Sequence, residues 1–167
     1  MKLRFSEEKI LQIAQRYTDP DDPTLAELQE AISLQGYLTK RQLQTVARWK
    51  SPRSKHHIEK NSGEYVEEIT AYALTSSVER VKIEVLTLLD GVSWPTASVI
   101  LHWYDKAFYP ILDFRALWSC STEVPKRYEF DFWWQYVEFC REIASRTGVD
   151  KRSLDRALWQ YSKEYQP

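Results

Sequence analysis

The stretch Leu88-Leu89-Asp90-Gly91-Val92-Ser93-Trp94-Pro95-Thr96-Ala97-Ser98-Val99-Ile100-Leu101 decides how this chain folds. A helix carrying Ile83, Leu86 and Leu89 runs into Gly91, a residue able to take the left-handed conformation that closes a helix C-terminus. One apolar residue, Val92, plugs the turn. A second helix starts at once, with Ser93 as its cap and Pro95 in its first turn, where a missing N–H is harmless. Ala97 is small where the two helices cross. This arrangement aims several backbone N–H groups outward at a helix N-terminus, and such a site holds a phosphate without any basic side chain. An ordinary helical hairpin of a bundle has the same local pattern.

Helix signals continue in both directions. Ser6 precedes an acidic turn, followed by Ile10, Leu11, Ala14 and Tyr17 at helical spacing. Asp19-Pro20-Asp21-Asp22-Pro23 breaks the chain. Thr24 with Glu27, Thr39 with Gln42 and Ser76 with Glu79 each read as a helix start in which two side chains satisfy free N–H groups. The second of these opens a helix through Leu43, Val46, Ala47 and Trp49 that Pro52 ends. A polar stretch over 53–63 reads as a loop, and Val66, Ile69, Ala73 and Leu74 mark another helix. Beyond the turn, helices are expected near Phe114–Ser119, Glu129–Arg146 and Lys151–Tyr165, the last capped by Asp150.

No alternating run is long enough for a strand, and only four of the 167 residues are Gly. The fold expected is all-α, a compact two-lobed helical bundle in one domain over 1–167, with its hairpin at 78–104. Hydrophobic residues make up 43%, enough for a core, and seven Trp with ten Tyr make that core aromatic.

No apolar run approaches the ~18 residues of a membrane span. The opening Met1-Lys2-Leu3-Arg4-Phe5 lacks the apolar stretch of an export signal. Cys120 and Cys140 are therefore expected to be reduced thiols, and the protein cytoplasmic. A net charge of −1 excludes a polycation, so any contact with nucleic acid must come from a local patch. One exists in the sequence. Between Thr39 and Lys60, the cations Lys40, Arg41, Arg48, Lys50, Arg53, Lys55 and Lys60 face Glu59 alone, a local charge of +6. Arg48, Lys50, Arg53 and Lys55, with Trp49 interleaved, suit a grip on a phosphate backbone; a solvated surface face is the plainer reading. The adjacent His56 and His57 would not both face one metal, and no cysteine or carboxylate cluster joins them, so no metal site is expected.

Two motifs together resemble the helix-hairpin-helix DNA glycosylase superfamily typified by endonuclease III. The family's hairpin reads, in outline, Leu-Pro-Gly-Val-Gly-x-Lys-Thr-Ala, and here Leu89-Asp90-Gly91-Val92-Ser93-Trp94-Pro95-Thr96-Ala97 stands in its place. Downstream the family has an apolar segment ending in its catalytic Asp. Tyr109-Pro110-Ile111-Leu112-Asp113 matches it, and aligning on Gly91 puts Asp113 in register with no gap. The resemblance is specific over about Leu86–Trp118. It implies that Gly91, Val92, Ser93, Trp94 and Thr96 hold the DNA backbone and that Asp113 is catalytic. The implied partner is duplex DNA with a damaged or modified base, handled by a monomer without any cofactor.

The departures from the pattern define the chemistry further. Ser93 replaces the second hairpin Gly. Pro95 stands where strand-cleaving members carry a Lys, whose amine attacks the sugar carbon. The four-cysteine iron–sulfur motif is absent. Asp90 adds a negative charge beside the phosphate site. What remains is a monofunctional glycosylase, a DNA-binding relative without chemistry, or a helical interaction protein. In the first, a carboxylate stabilises the positive charge that builds on the sugar and orients water. The base must leave the duplex for a pocket with aromatic walls. Trp94, Tyr104, Tyr109 and Trp118 are candidates for that wall, although in so aromatic a chain each by itself suits the core better. Asp113 equally suits a plain helix cap.

Overall fold

The computed structural model describes residues 1–18 and 22–167, and every regular element among them is helical. Of the break expected over Asp19–Pro23, residues 19–21 lie outside the described residues, while Asp22 and Pro23 already belong to a helix. The chain divides into two units, Asp19–Lys106 and a discontinuous one made of Met1–Thr18 with Ala107–Pro167.

The first unit contains α2 (Asp22–Gln35), α3 (Lys40–Lys50), α4 (Lys55–Ile58), α5 (Gly63–Thr75), α6 (Glu79–Leu86) and α7 (Trp94–Tyr104). Helix α7 lies at its centre. Every residue from Thr96 to Trp103 is buried, and α2, α3 and α6 pack around it. A helix that is covered on all sides carries no polar face, and the run Ala97-Ser98-Val99-Ile100-Leu101 has none. Ala97 is fully buried within α7.

The starts of these helices show which local signals govern. Thr39 and Gln42 form the expected reciprocal cap at α3: the Gln42 N–H donates to Thr39 Oγ1 (3.3 Å) and the Thr39 N–H to Gln42 Oε1 (2.7 Å). The other two expected pairs do not cap. Helix α2 already begins at Asp22, with Pro23 in its first turn presetting the backbone, so Thr24 lies inside the helix. Ser76 ends α5 instead, accepting the Val78 N–H (3.1 Å), and Val78 precedes α6. Fully buried Thr70 of α5 accepts the Leu38 N–H (2.8 Å), which pins the α2–α3 connection.

The second unit contains α1 (Ile10–Ala14, after a 3₁₀ turn at Glu7–Lys9), α8 (Phe114–Ser119), α9 (Phe130–Thr147) and α10 (Lys151–Tyr165). Helix α10 is the hub, packed by α1 and α8. The buried face of α1 is Ile10, Ile13 and Ala14. Leu11 is 55% exposed and Tyr17 lies past the helix end, so the spacing that holds is i, i+3, i+4 from Ile10. Gly148 closes α9 at φ +72°, its N–H donating to Ala144 O (2.8 Å). Asp150 caps α10 by accepting the N–H groups of Arg152 and Ser153, both at 2.9 Å. Both cysteines are buried and unbridged. Among the described residues, no helix is long and apolar enough to cross a membrane.

Candidate nucleic-acid interface

The connection between α6 and α7 is longer than a Gly-ended helix implies. Helix α6 stops at Leu86, and tighter bonds carry the chain on: Thr87, Leu88 and Leu89 each donate to the carbonyl three residues back. The Val92 N–H then donates to Leu89 O (3.0 Å), closing a four-residue turn with Gly91 third at φ +80°, the value a type II turn demands. Val92 plugs the turn as expected, 6% exposed. Ser93 takes extended backbone and its carbonyl accepts the Ala97 N–H (2.8 Å), while its hydroxyl makes no capping bond.

Gly91 has a further constraint that the sequence did not reveal. A Cβ there would sit 2.9 Å from His57 Cβ and 2.9 Å from Ile58 N. The polar stretch expected as a loop is in fact a 3₁₀ turn at Pro52–Ser54 running into α4, and α4 packs its backbone directly on Gly91. Asn61, 4% exposed, fastens the two. Its Oδ1 accepts the Asp90 N–H and its Nδ2 donates to Asp90 O, both at 2.9 Å, and also to Ile58 O at 3.0 Å. A side-chain amide thus pairs with a peptide as another peptide would.

The consequence is a basic segment docked against the turn. Arg53, Lys55, His56, His57 and Lys60 are exposed on the segment docked against the turn, and Arg48 is exposed on α3. Arg48 and Lys55 line a small cleft of about 190 Å³ together with Gln44, Pro52, Ile58 and Glu59. The opposing charge is weak there, because Lys55 and Glu59 stand 4.0 Å apart and both are exposed. Lys40 donates to the Glu59 carbonyl (2.9 Å) and so belongs to the same surface. Lys50 is half-buried. The residues predicted to hold a phosphate backbone therefore fall into two contiguous groups on one unit. In the turn itself, however, the Val92 N–H is engaged by Leu89 and the Thr96 side chain is buried.

Asp113 belongs to the other unit. The buried run Tyr109-Pro110-Ile111-Leu112, outside any helix, leads to Asp113, which takes extended backbone and caps α8, Oδ1 accepting the Arg115 N–H at 2.9 Å. The carboxylate is half-buried. Tyr128 lies close enough to feel it: burial first, and then the Asp113 charge, push the Tyr128 phenol above its ordinary value. An aromatic ring next to Asp113 is open to solvent, that of Phe114 (51% exposed), with the Arg115 guanidinium 5.1 Å from its centre. Nothing in the local sequence marks Phe114 as exposed, since an exposed aromatic and a buried one look alike there.

The four rings named as pocket walls separate. Tyr109 is core: it is fully buried, stacks on Trp133 (5.7 Å) and has the Arg141 guanidinium 5.0 Å away. Trp118 is half-buried under the Arg4 guanidinium (4.4 Å) and stacks with Tyr161 at 6.1 Å. Tyr104 donates to Leu25 O (3.4 Å), and burial raises its phenol pKa well above normal. Trp94 is half-buried in the first turn of α7. Among the described residues, no group of three or more His, Cys, Asp and Glu is arranged to hold a metal ion. Comparison with protein families, with curated proteins and with solved structures finds no match.

Proposed function

We propose that this chain is a DNA-binding protein of the base-excision type, a monofunctional DNA glycosylase that uses Asp113. The observation that carries the reading is the gapless register between Leu89–Ala97 and Tyr109–Asp113. Three features of the molecule support it. Gly91 has the left-handed backbone that the hairpin pattern calls for. A basic segment is fastened to the same turn, so that phosphate contacts from turn and segment belong to one surface. Asp113 stands on a rigid, buried approach with its carboxylate half-exposed.

In this mechanism the target base leaves the stack, and Phe114 offers a face for it. Water attacks the sugar carbon as the bond to the base nitrogen breaks, and the electron pair leaves with the base. The Asp113 carboxylate balances the developing positive charge and takes the water's proton. Pro95 has no amine, so the abasic strand stays uncut.

Binding without chemistry is the second reading. It is favoured by Ser93 in place of Gly and by the role of Asp113 Oδ1 as a helix cap. Base release from duplexes carrying uracil, hypoxanthine, 8-oxoguanine, alkylated purines or mismatches separates the two. Release by the wild type, reduced at least about 100-fold in Asp113→Asn, establishes the glycosylase. Salt-sensitive binding with no release from any duplex establishes the binding module.

A further inference from the structure

The unit built from Met1–Thr18 and Ala107–Pro167 contains a second cleft, of about 670 Å³, which the reading above does not use. Its walls come from the start of the chain and the C-terminal half of α10. The N-terminal segment is held in place by backbone bonds from Lys2 to Cys120 O (3.0 Å) and from Arg4 to Ser119 O (2.9 Å), and Arg4 Nε donates to Trp118 O (2.6 Å). Tyr161 closes the corner by donating to Arg4 O (3.1 Å).

Two kinds of group line this cleft. The first is a run of aromatic rings: Phe5 lies 4.6 Å from Tyr161, and Tyr161 lies 4.7 Å from Tyr165, centre to centre. Tyr165 is 59% exposed, so this run ends in an open face. The second is positive charge. Arg4, Lys9 and Arg16 line the cleft, with Glu164 as its one carboxylate among the described residues. Arg16 grips Glu164 through two bonds (2.9 and 2.7 Å), and these hold the Glu164 carboxyl below its usual range, so that pair cancels. Glu7, the nearest other acid in sequence with a partner, is held by Arg146 (2.6 Å). Arg4 and Lys9 make no salt bridge to any described carboxylate. Arg4, which also lies over the Trp118 ring, and Lys9 thus border a row of tilted aromatic rings in a cleft of ligand size.

We propose that this cleft binds a nucleotide unit, with the base stacked on the Tyr161–Tyr165 face and the phosphate between Arg4 and Lys9. Stacking on aromatic rings combined with neighbouring cations is how proteins hold bases without reading their sequence. The inference is independent of whether Asp113 cleaves anything. A free mononucleotide and a single strand both present this chemistry, and the test below tells them apart.

The test titrates the full chain with 5′-AMP, adenosine, inorganic phosphate and a ten-residue thymidine oligonucleotide by calorimetry. The wild type, Lys9→Gln and Tyr165→Ala are compared; both substitutions fall at exposed positions and are checked for unchanged circular dichroism. The expected result is binding of 5′-AMP that each substitution weakens by at least about fivefold, with adenosine and phosphate both weaker than 5′-AMP. A single-strand source shows as tighter, salt-dependent binding of the oligonucleotide that the same substitutions weaken; a free-nucleotide source shows as 5′-AMP binding the tighter of the two. No binding of either at about 1 mM, or binding that ignores both substitutions, overturns the proposal.

Discussion

At Gly91 the backbone angle of +80° and the approach of His57 and Ile58 at 2.9 Å exclude a side chain for two unrelated reasons. The angle alone costs an L-residue roughly 1–2 kcal/mol. The contact adds to this because the atoms facing it are backbone and Cβ, which cannot rotate away. Gly91→Ala is therefore expected to lower stability by about 3 kcal/mol, read as a reduced urea midpoint with unchanged slope. A loss under about 1 kcal/mol would mean that α4 shifts without penalty, and the docking would not be rigid. The left-handed turn was legible from the sequence because Gly before an apolar plug is a local signal. The second constraint was not, because it depends on a segment more than thirty residues away. Asn61 escaped notice likewise: its role is to pair with the Asp90 peptide, and an isolated Asn in a polar stretch looks like any loop residue.

The thiols belong to the same scale. Burial pushes Cys120 up to about 12, and burial, then the charge of its neighbour Cys120, push Cys140 higher than its ordinary value. At pH 8 neither is a thiolate to any useful extent. A disulfide reagent should find no fast-reacting thiol in the native protein and two after denaturation. The sign for stability follows from the same shifts. The folded state holds these protons more tightly than the unfolded chain, whose thiols titrate near 8.5, so their stabilisation is complete below that pH and is lost as pH rises through 9 toward 12.

Elements differed in legibility according to how far their signals reach. Helices α8 and α10 have the bounds the sequence predicts, because Asp113 and Asp150 cap them locally and apolar periodicity carries them on. Helix α4 was invisible: its four residues contain one apolar side chain, Ile58, and a single turn is not stable by itself. Tertiary packing on Gly91 makes it helical. That same packing concentrates charge, which yields a prediction at this scale. If the α3–α4 surface meets a duplex, Arg48→Ala and Lys55→Ala should weaken binding alike for all sequences and each reduce the salt slope by about 1. Lys126→Ala, an exposed cation of the other unit, serves as the control and should leave the slope alone. Equal slopes in all four proteins would remove this surface from the interface.

The chain places its proposed tasks on differently built units. Asp19–Lys106, which holds the basic surface and the α6–α7 turn, is continuous and has its own central helix in α7. The unit with Asp113 is discontinuous, and its hub α10 is covered by α1 from the far end of the sequence, through Ile10, Ile13 and Ala14. All three of these side chains are at most 9% exposed. Burying two Ile side chains contributes about 4 kcal/mol, a large part of the margin of a small domain. A fragment spanning 19–106 is therefore expected to melt cooperatively as a helical protein and to carry by itself the salt-dependent DNA binding proposed above. A fragment spanning 107–167 should lack a cooperative transition until a peptide of residues 1–18 is added. Circular dichroism melts of the two fragments, with and without the peptide, decide the matter. If 107–167 melts cooperatively alone, α1 is dispensable to that core and the two ends of the chain are not one folding unit. If only the peptide restores the transition, Asp113 sits in a unit whose order depends on both ends of the chain, and substitutions at Ile10 or Ile13 should impair any activity of Asp113 without touching the DNA binding proposed for the basic surface.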